Sequence, residues 1–91
     1  MAVVVRFTPD GMTSEKYDEI IRTLEEAGAG APAGRLYHVC FGDKANLRVS
    51  DIWDSMENFQ AFGSTLMPIL QQLGQDPGTP DVIEVHNIIE G

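Results

Sequence analysis

The sequence predicts an α+β domain whose elements run strand, helix, strand, strand, helix, strand. Three observations carry that order. Short β-branched or aromatic runs recur near the start, middle and end of the chain. Between them, two segments place apolar residues at helical spacing. Gly, Pro and Asp punctuate the joins. At 91 residues the chain has the size of one small domain, so residues 1–91 are read as a single unit.

Val3-Val4-Val5-Arg6-Phe7 is a β-branched run stopped by Pro9-Asp10-Gly11, a strand followed by a turn. Thr13 or Ser14 can cap a helix, with Glu15 in the first turn where the helix dipole favours an anion. Tyr17, Ile20, Ile21, Leu24 and Ala27 form its apolar stripe, and Gly28, Gly30 and Pro32 end it. Arg35 to Phe41 and Asn46 to Trp53 flank Gly42-Asp43-Lys44 and read as an antiparallel hairpin. Asp54 with Glu57 resembles a capping box, with Ser55 as the other candidate cap. Met56, Phe59, Phe62, Leu66, Ile69, Leu70 and Leu73 mark the buried face of a second helix. Gly63 and Pro68 predict a kink or a restart near Ser64-Thr65. Val82 to Ile89 is the last expected strand.

Right-handed crossovers turn this order into a four-stranded antiparallel sheet with both helices on one face, the ferredoxin-like arrangement. Alternation puts Leu36, His38, Cys40, Leu47, Val49, Asp51 and Trp53 on one face of the hairpin, and Tyr37, Val39, Phe41, Arg48, Ser50 and Ile52 on the other. Both faces are largely apolar, but two helices cover only one. A two-fold homodimer with its sheets packed face to face would bury the second.

Fourteen acidic against six basic side chains give a net charge of -8, which repels nucleic-acid phosphates and anionic membrane surfaces alike. Neither partner is expected. No apolar run is long enough to span a bilayer. The start, Met1 to Arg6, has no basic leader followed by a long apolar run, so a cytoplasmic location is expected. Cys40 is the lone cysteine and reads as a small buried hydrophobe. Two histidines without a third ligand at short spacing give no metal site, and no Gly-rich phosphate cradle follows any strand.

Polar groups inside the apolar frame mark the candidate site. A turn centred on Asp43-Lys44 pairs His38 with Val49 and Leu36 with Asp51, leaving Asp51 diagonal to His38, about 7–8 Å away between backbones. A carboxylate at that place orients an imidazole and favours its protonated form, as an acid–base pair requires. The alternative is a structural histidine held by backbone, with Asp51 capping a loop. Tyr17, Trp53, Phe59 and Phe62 are either the walls of an aromatic pocket or plain core. His86 and Asn87 lie on opposite sides of the last strand, so only one of them can join that pocket.

Val49-Ser50-Asp51-Ile52-Trp53-Asp54-Ser55-Met56-Glu57-Asn58-Phe59 resembles a segment of the antibiotic biosynthesis monooxygenase-like dimeric α+β barrel family. Tyr17-Asp18, Gly34-Arg35-Leu36-Tyr37-His38-Val39 and His86-Asn87 are similar to signatures of its small bacterial members. The resemblance implies a dimeric barrel with a ligand cavity between helices and sheet in each subunit. It also implies a small hydrophobic or aromatic ligand, with Trp53 as the best match to a pocket residue. Some members are oxygenases that use no cofactor, deprotonating a quinol so that its carbanion meets dioxygen directly. Others degrade haem through a histidine on the second helix, and no histidine lies between Asp54 and Leu73 here. Two functions stay open. One is a cofactor-free monooxygenase in which His38, oriented by Asp51, removes a proton while His86 or Asn87 steadies the oxyanion. The other is a non-catalytic dimer that binds a small hydrophobic metabolite or serves as an interaction module.

Overall fold

A computed structural model describes residues 1–91. Its elements are β1 (Val3–Phe7), α1 (Ser14–Glu26), β2 (Arg35–Asp43), β3 (Asn46–Trp53), α2 (Met56–Gln72) and β4 (Asp81–Glu84). The strands form one antiparallel sheet in the order β2-β3-β1-β4. This is the expected ferredoxin-like α+β fold, with β1 and β3 central and β2 and β4 at the edges.

Each helix starts on a hydroxyl cap. Thr13 accepts from the Lys16 N–H at 3.2 Å. For α2 the cap is Ser55, which accepts from the Asn58 N–H at 3.2 Å, while Asp54 holds the Asn58 side chain at 2.8 Å. These bonds satisfy donors that the first helical turn leaves without partners. No break occurs at Ser64-Thr65: α2 is one helix with Pro68 inside it. Ser64 and Pro68 are both exposed, so water can serve the carbonyl that lacks a proline N–H.

The core lies between the helices and one face of the sheet. Val3, Val5, Leu47 and Trp53 supply it from the strands, Ile20 and Leu24 from α1, and Phe62, Ile69 and Leu70 from α2. The opposite face stays open: Tyr37 is 57% exposed, and Phe41 and Ile83 are exposed with it.

The structure corrects three details of the strands. The hairpin turn is Lys44-Ala45, since Asp43 pairs with Asn46, and the Asp43 carboxylate accepts from the Ala45 N–H at 2.9 Å. His38 therefore stands opposite Asp51, and Cys40, not His38, opposes Val49. A bulge between Arg35 and Tyr37 then lets Arg35 pair with Trp53. The extra residue switches the alternation, so Arg35 takes the inner face assigned to Leu36, and Leu36 is 59% exposed. Finally, β4 stops at Glu84, opposite Val3. Val3 is the first residue of β1; one more bond, from the Val85 N–H to the Ala2 carbonyl, closes the ladder. His86 to Ile89 run on without strand pairing.

Candidate functional site

His38 and Asp51 meet where β2 and β3 face each other. Directly opposed residues sit about 4.5–5.5 Å apart at their β-carbons, so the imidazole and carboxylate meet without bending. The His38 Nδ1–H donates to Asp51 Oδ1 at 2.5 Å. Asp51 is 4% exposed, the one buried charged residue of the chain. Such a carboxylate costs free energy unless it is paired, and His38 is its partner.

Tyr17 completes the chain from the helix layer. It lies on the cavity side of α1, stacked on the His38 ring with centroids 6.1 Å apart. Its hydroxyl lies 2.6 Å from His38 Nε2. With Nδ1 donating to Asp51, the neutral imidazole accepts the Tyr17 O–H at Nε2. Burial pushes the Tyr17 phenol up to about 12, the charges of Cys40 and Asp51 push the same way, and Arg35 opposes them. Tyr17 thus keeps its proton at neutral pH. Burial also pushes the Cys40 thiol up, which makes it a poor nucleophile.

This hydrogen-bonded chain opens into a cavity of ≈ 80 Å³ between the helices and the sheet. Tyr17, His38 and Asp51 line it together with Phe62, and the remaining wall is mostly aliphatic: Ile20, Ile21 and Leu24 from α1, Leu66 and Leu70 from α2. Phe7 and Met12 close one side, and Arg35 brings the one positive charge.

Four of the eight residues singled out from the sequence therefore line the cavity. Phe59 and Trp53 stand outside its lining. Trp53 is fully buried against Phe62 at 5.3 Å and Phe59 at 5.8 Å, and its Nε1–H has no partner. His86 and Asn87 are exposed beyond β4 and do not line it. Arg35 was missed because strict alternation turns it outward. The Tyr17–His38 bond was missed because nothing in a sequence relates a helix rotation to a strand register.

No family model matches the sequence, and no curated protein is detectably similar to it. Solved structures are similar in shape. SnoaB, a cofactor-independent oxygenase from Streptomyces nogalater, superposes with a TM-score of 0.62 at 17% identity, over 99% of this chain and 96% of that one. The chain has the antibiotic biosynthesis monooxygenase-like fold. A candidate antibiotic biosynthesis monooxygenase from Deinococcus radiodurans is similar at TM-score 0.61 and 13% identity, covering 99% of this chain and 97% of its own. Rv0793 from Mycobacterium tuberculosis reaches TM-score 0.56 at 14% identity, over 98% and 95% of the two chains. On this antibiotic biosynthesis monooxygenase-like frame, the Tyr17–His38–Asp51 chain occupies the space between helices and sheet. No helix is long and apolar enough to cross a membrane.

Proposed function

We propose that this protein binds a small aromatic molecule of the quinol type and oxidises it with dioxygen without a cofactor. It does so as a cytoplasmic homodimer whose open sheet faces pack together. The observation that carries the reading is the Tyr17–His38–Asp51 chain ending in an apolar cavity. The likeness to SnoaB, a cofactor-independent oxygenase, supports it.

In the proposed reaction a quinol loses a proton from an activated CH₂ beside its ring. Tyr17 relays it, taking the proton on its oxygen as its own passes to His38 Nε2. Asp51 holds Nδ1–H and stabilises the resulting imidazolium. The carbanion gives an electron to dioxygen, and the radical pair joins through a new C–O bond. The peroxide anion takes back the proton from the His38 imidazolium through Tyr17 to give a hydroperoxide. The hydroperoxide loses water to leave a carbonyl, so CH₂ and O₂ become C=O and H₂O. Aliphatic walls admit dioxygen and keep bulk water from the carbanion. A dry apolar cavity of roughly 150 Å³ takes a benzene. At ≈ 80 Å³ this open cavity takes at most one ring after adjustment, and a fused polycycle would extend out of it.

Oxygen uptake with an anthrone-like quinol tests this. His38→Ala should lower the rate about 10²-fold or more while the circular dichroism stays native. An unchanged rate removes His38 as the base. A second reading, a non-catalytic binding or interaction module, is favoured by one fact: both ring nitrogens of His38 already have protein partners. It expects His38→Ala to lower the melting temperature with no turnover by the wild-type protein.

A further inference from the structure

We propose that Arg35 sets the ligand class of the cavity, selecting an aromatic molecule that carries an oxyanion, a carboxylate or phenolate, on its ring. The proposal rests on the cavity being the binding site, as above, and not on its oxygen chemistry.

Arg35 is distinguished by its place: none of the six Lys and Arg side chains forms an ion pair, but Arg35 alone among them lines the cavity. Acidic residues outnumber basic ones by fourteen to six, yet the chain's one ion pair is His38–Asp51. Arg35 sits at the wall of an apolar cavity and forms no ion pair with any carboxylate. The other charged group of the lining, Asp51, is already committed to His38. Arg35 is half-buried, with its guanidinium at the rim of the apolar wall, where its planar N–H fork is placed to pair with an oxyanion on a bound ring.

The local structure holds it there. The bulge at Leu36 turns Arg35 to the inner face. Gly34, just before it, has a φ of 86°, and a β-carbon at that position would come within 2.5 Å of the Asn58 side chain and 2.6 Å of that of Asp54. The Asp54 N–H donates to the Gly34 carbonyl at 2.8 Å, so the strand start is pinned to the start of α2. Further out, Arg35 Nη2 donates to the Gly30 carbonyl at 3.1 Å, and its Cζ lies 5.9 Å from the centre of the Phe62 ring. One donor is spent on Gly30, and the remaining N–H groups have no partner within the chain. Arg35 also opposes the upward push on the Tyr17 phenol, so its field reaches the oxygen that faces His38. An anion on the ligand would meet the same field.

The test uses benzoate and its neutral isostere benzamide, titrated into the full chain and followed by NMR shifts of the cavity residues. Benzoate should bind about tenfold or more tightly than benzamide, as a charge-assisted contact implies. Arg35→Gln should reduce the benzoate-to-benzamide affinity ratio to about one, while Arg35→Lys should keep part of the preference. Equal affinities in the wild type, no binding of either probe, or a preference that survives Arg35→Gln would each overturn the proposal. Should Arg35→Gln fail to fold, the wild-type ratio decides alone. Benzoate preference without quinol oxidation would leave Arg35 standing and remove the oxygenase. Oxidation without the preference would do the reverse.

Discussion

His38 faces Asp51 directly across the β2–β3 pair, with Nδ1 and Oδ1 2.5 Å apart. Neither residue stands apart from the other: the carboxylate is buried, and the imidazole is its sole charge partner. Removing one side strands the other in a low-dielectric place. Asp51→Ala should therefore destabilise the fold by about 1–3 kcal/mol, read from denaturant midpoints. Asp51→Asn keeps an acceptor for Nδ1–H and should cost less. Equal stability of Asp51→Ala and the wild type would mean that the pair contributes nothing to folding.

Tyr17 gives a pH signature. Its pKa is raised from 10.0 to about 12 in the folded protein, so between those values the native state holds a proton that the unfolded chain releases. Stability from this source is fully present below pH 10 and is lost as pH rises toward 12. Tyr17→Phe should flatten that part of the stability profile and abolish a late tyrosinate absorbance step near pH 12. Persistence of the step in the variant would assign it elsewhere.

Trp53 separates packing from ligand contact. Trp53→Ala empties a fully buried site and should cost about 3–5 kcal/mol. Trp53→Phe should cost half that or less, because it also removes an N–H buried without a partner. If Trp53→Phe instead leaves stability intact and weakens ligand binding tenfold, the cavity reaches the indole in the bound state.

Gly34→Ala should destabilise by more than about 1 kcal/mol, since φ there lies in the left-handed region and a β-carbon has no room. Urea unfolding measures it. A Gly34→Ala protein as stable as the wild type would mean that neither the left-handed φ nor the crowding by Asn58 and Asp54 carries a cost.

The open sheet face carries the dimer prediction. Native mass spectrometry should find twice the 10.0 kDa chain mass. Tyr37→Lys combined with Ile83→Glu should yield monomer, because both residues are exposed on that face. A wild-type monomer at micromolar concentration would remove the dimer.

How much of this was legible beforehand depended on how many faces of each element were apolar. The buried faces of the helices were clear because their apolar residues form one stripe, and Ile20, Leu24, Phe62, Ile69 and Leu70 are buried as the spacing implies. The break expected near Ser64-Thr65, by contrast, does not form. The hairpin was ambiguous. Around His38, Leu36, Tyr37, Val39 and Phe41 are apolar on both sides, so hydrophobicity does not choose a register or reveal a bulge. The end of β4 was hidden for a different reason. Val82 to Ile89 has strand propensity throughout, but pairing requires a neighbour, and β1 supplies one only as far as Val3. His38 and Asp51 were found because charged and titratable groups interrupt an apolar face. Arg35 was not, because its inward turn depends on the bulge.

The hydrogen bond from Tyr17 to His38 spans two layers, one end on a helix and the other on the sheet. A bond so placed lengthens as soon as α1 lifts or slides, well before any strand separates. The molecule therefore carries its own displacement gauge. A guest that wedges the layers apart would register as a change in the tyrosine vibrational bands, with no label attached, and one that fits without prying would leave them still.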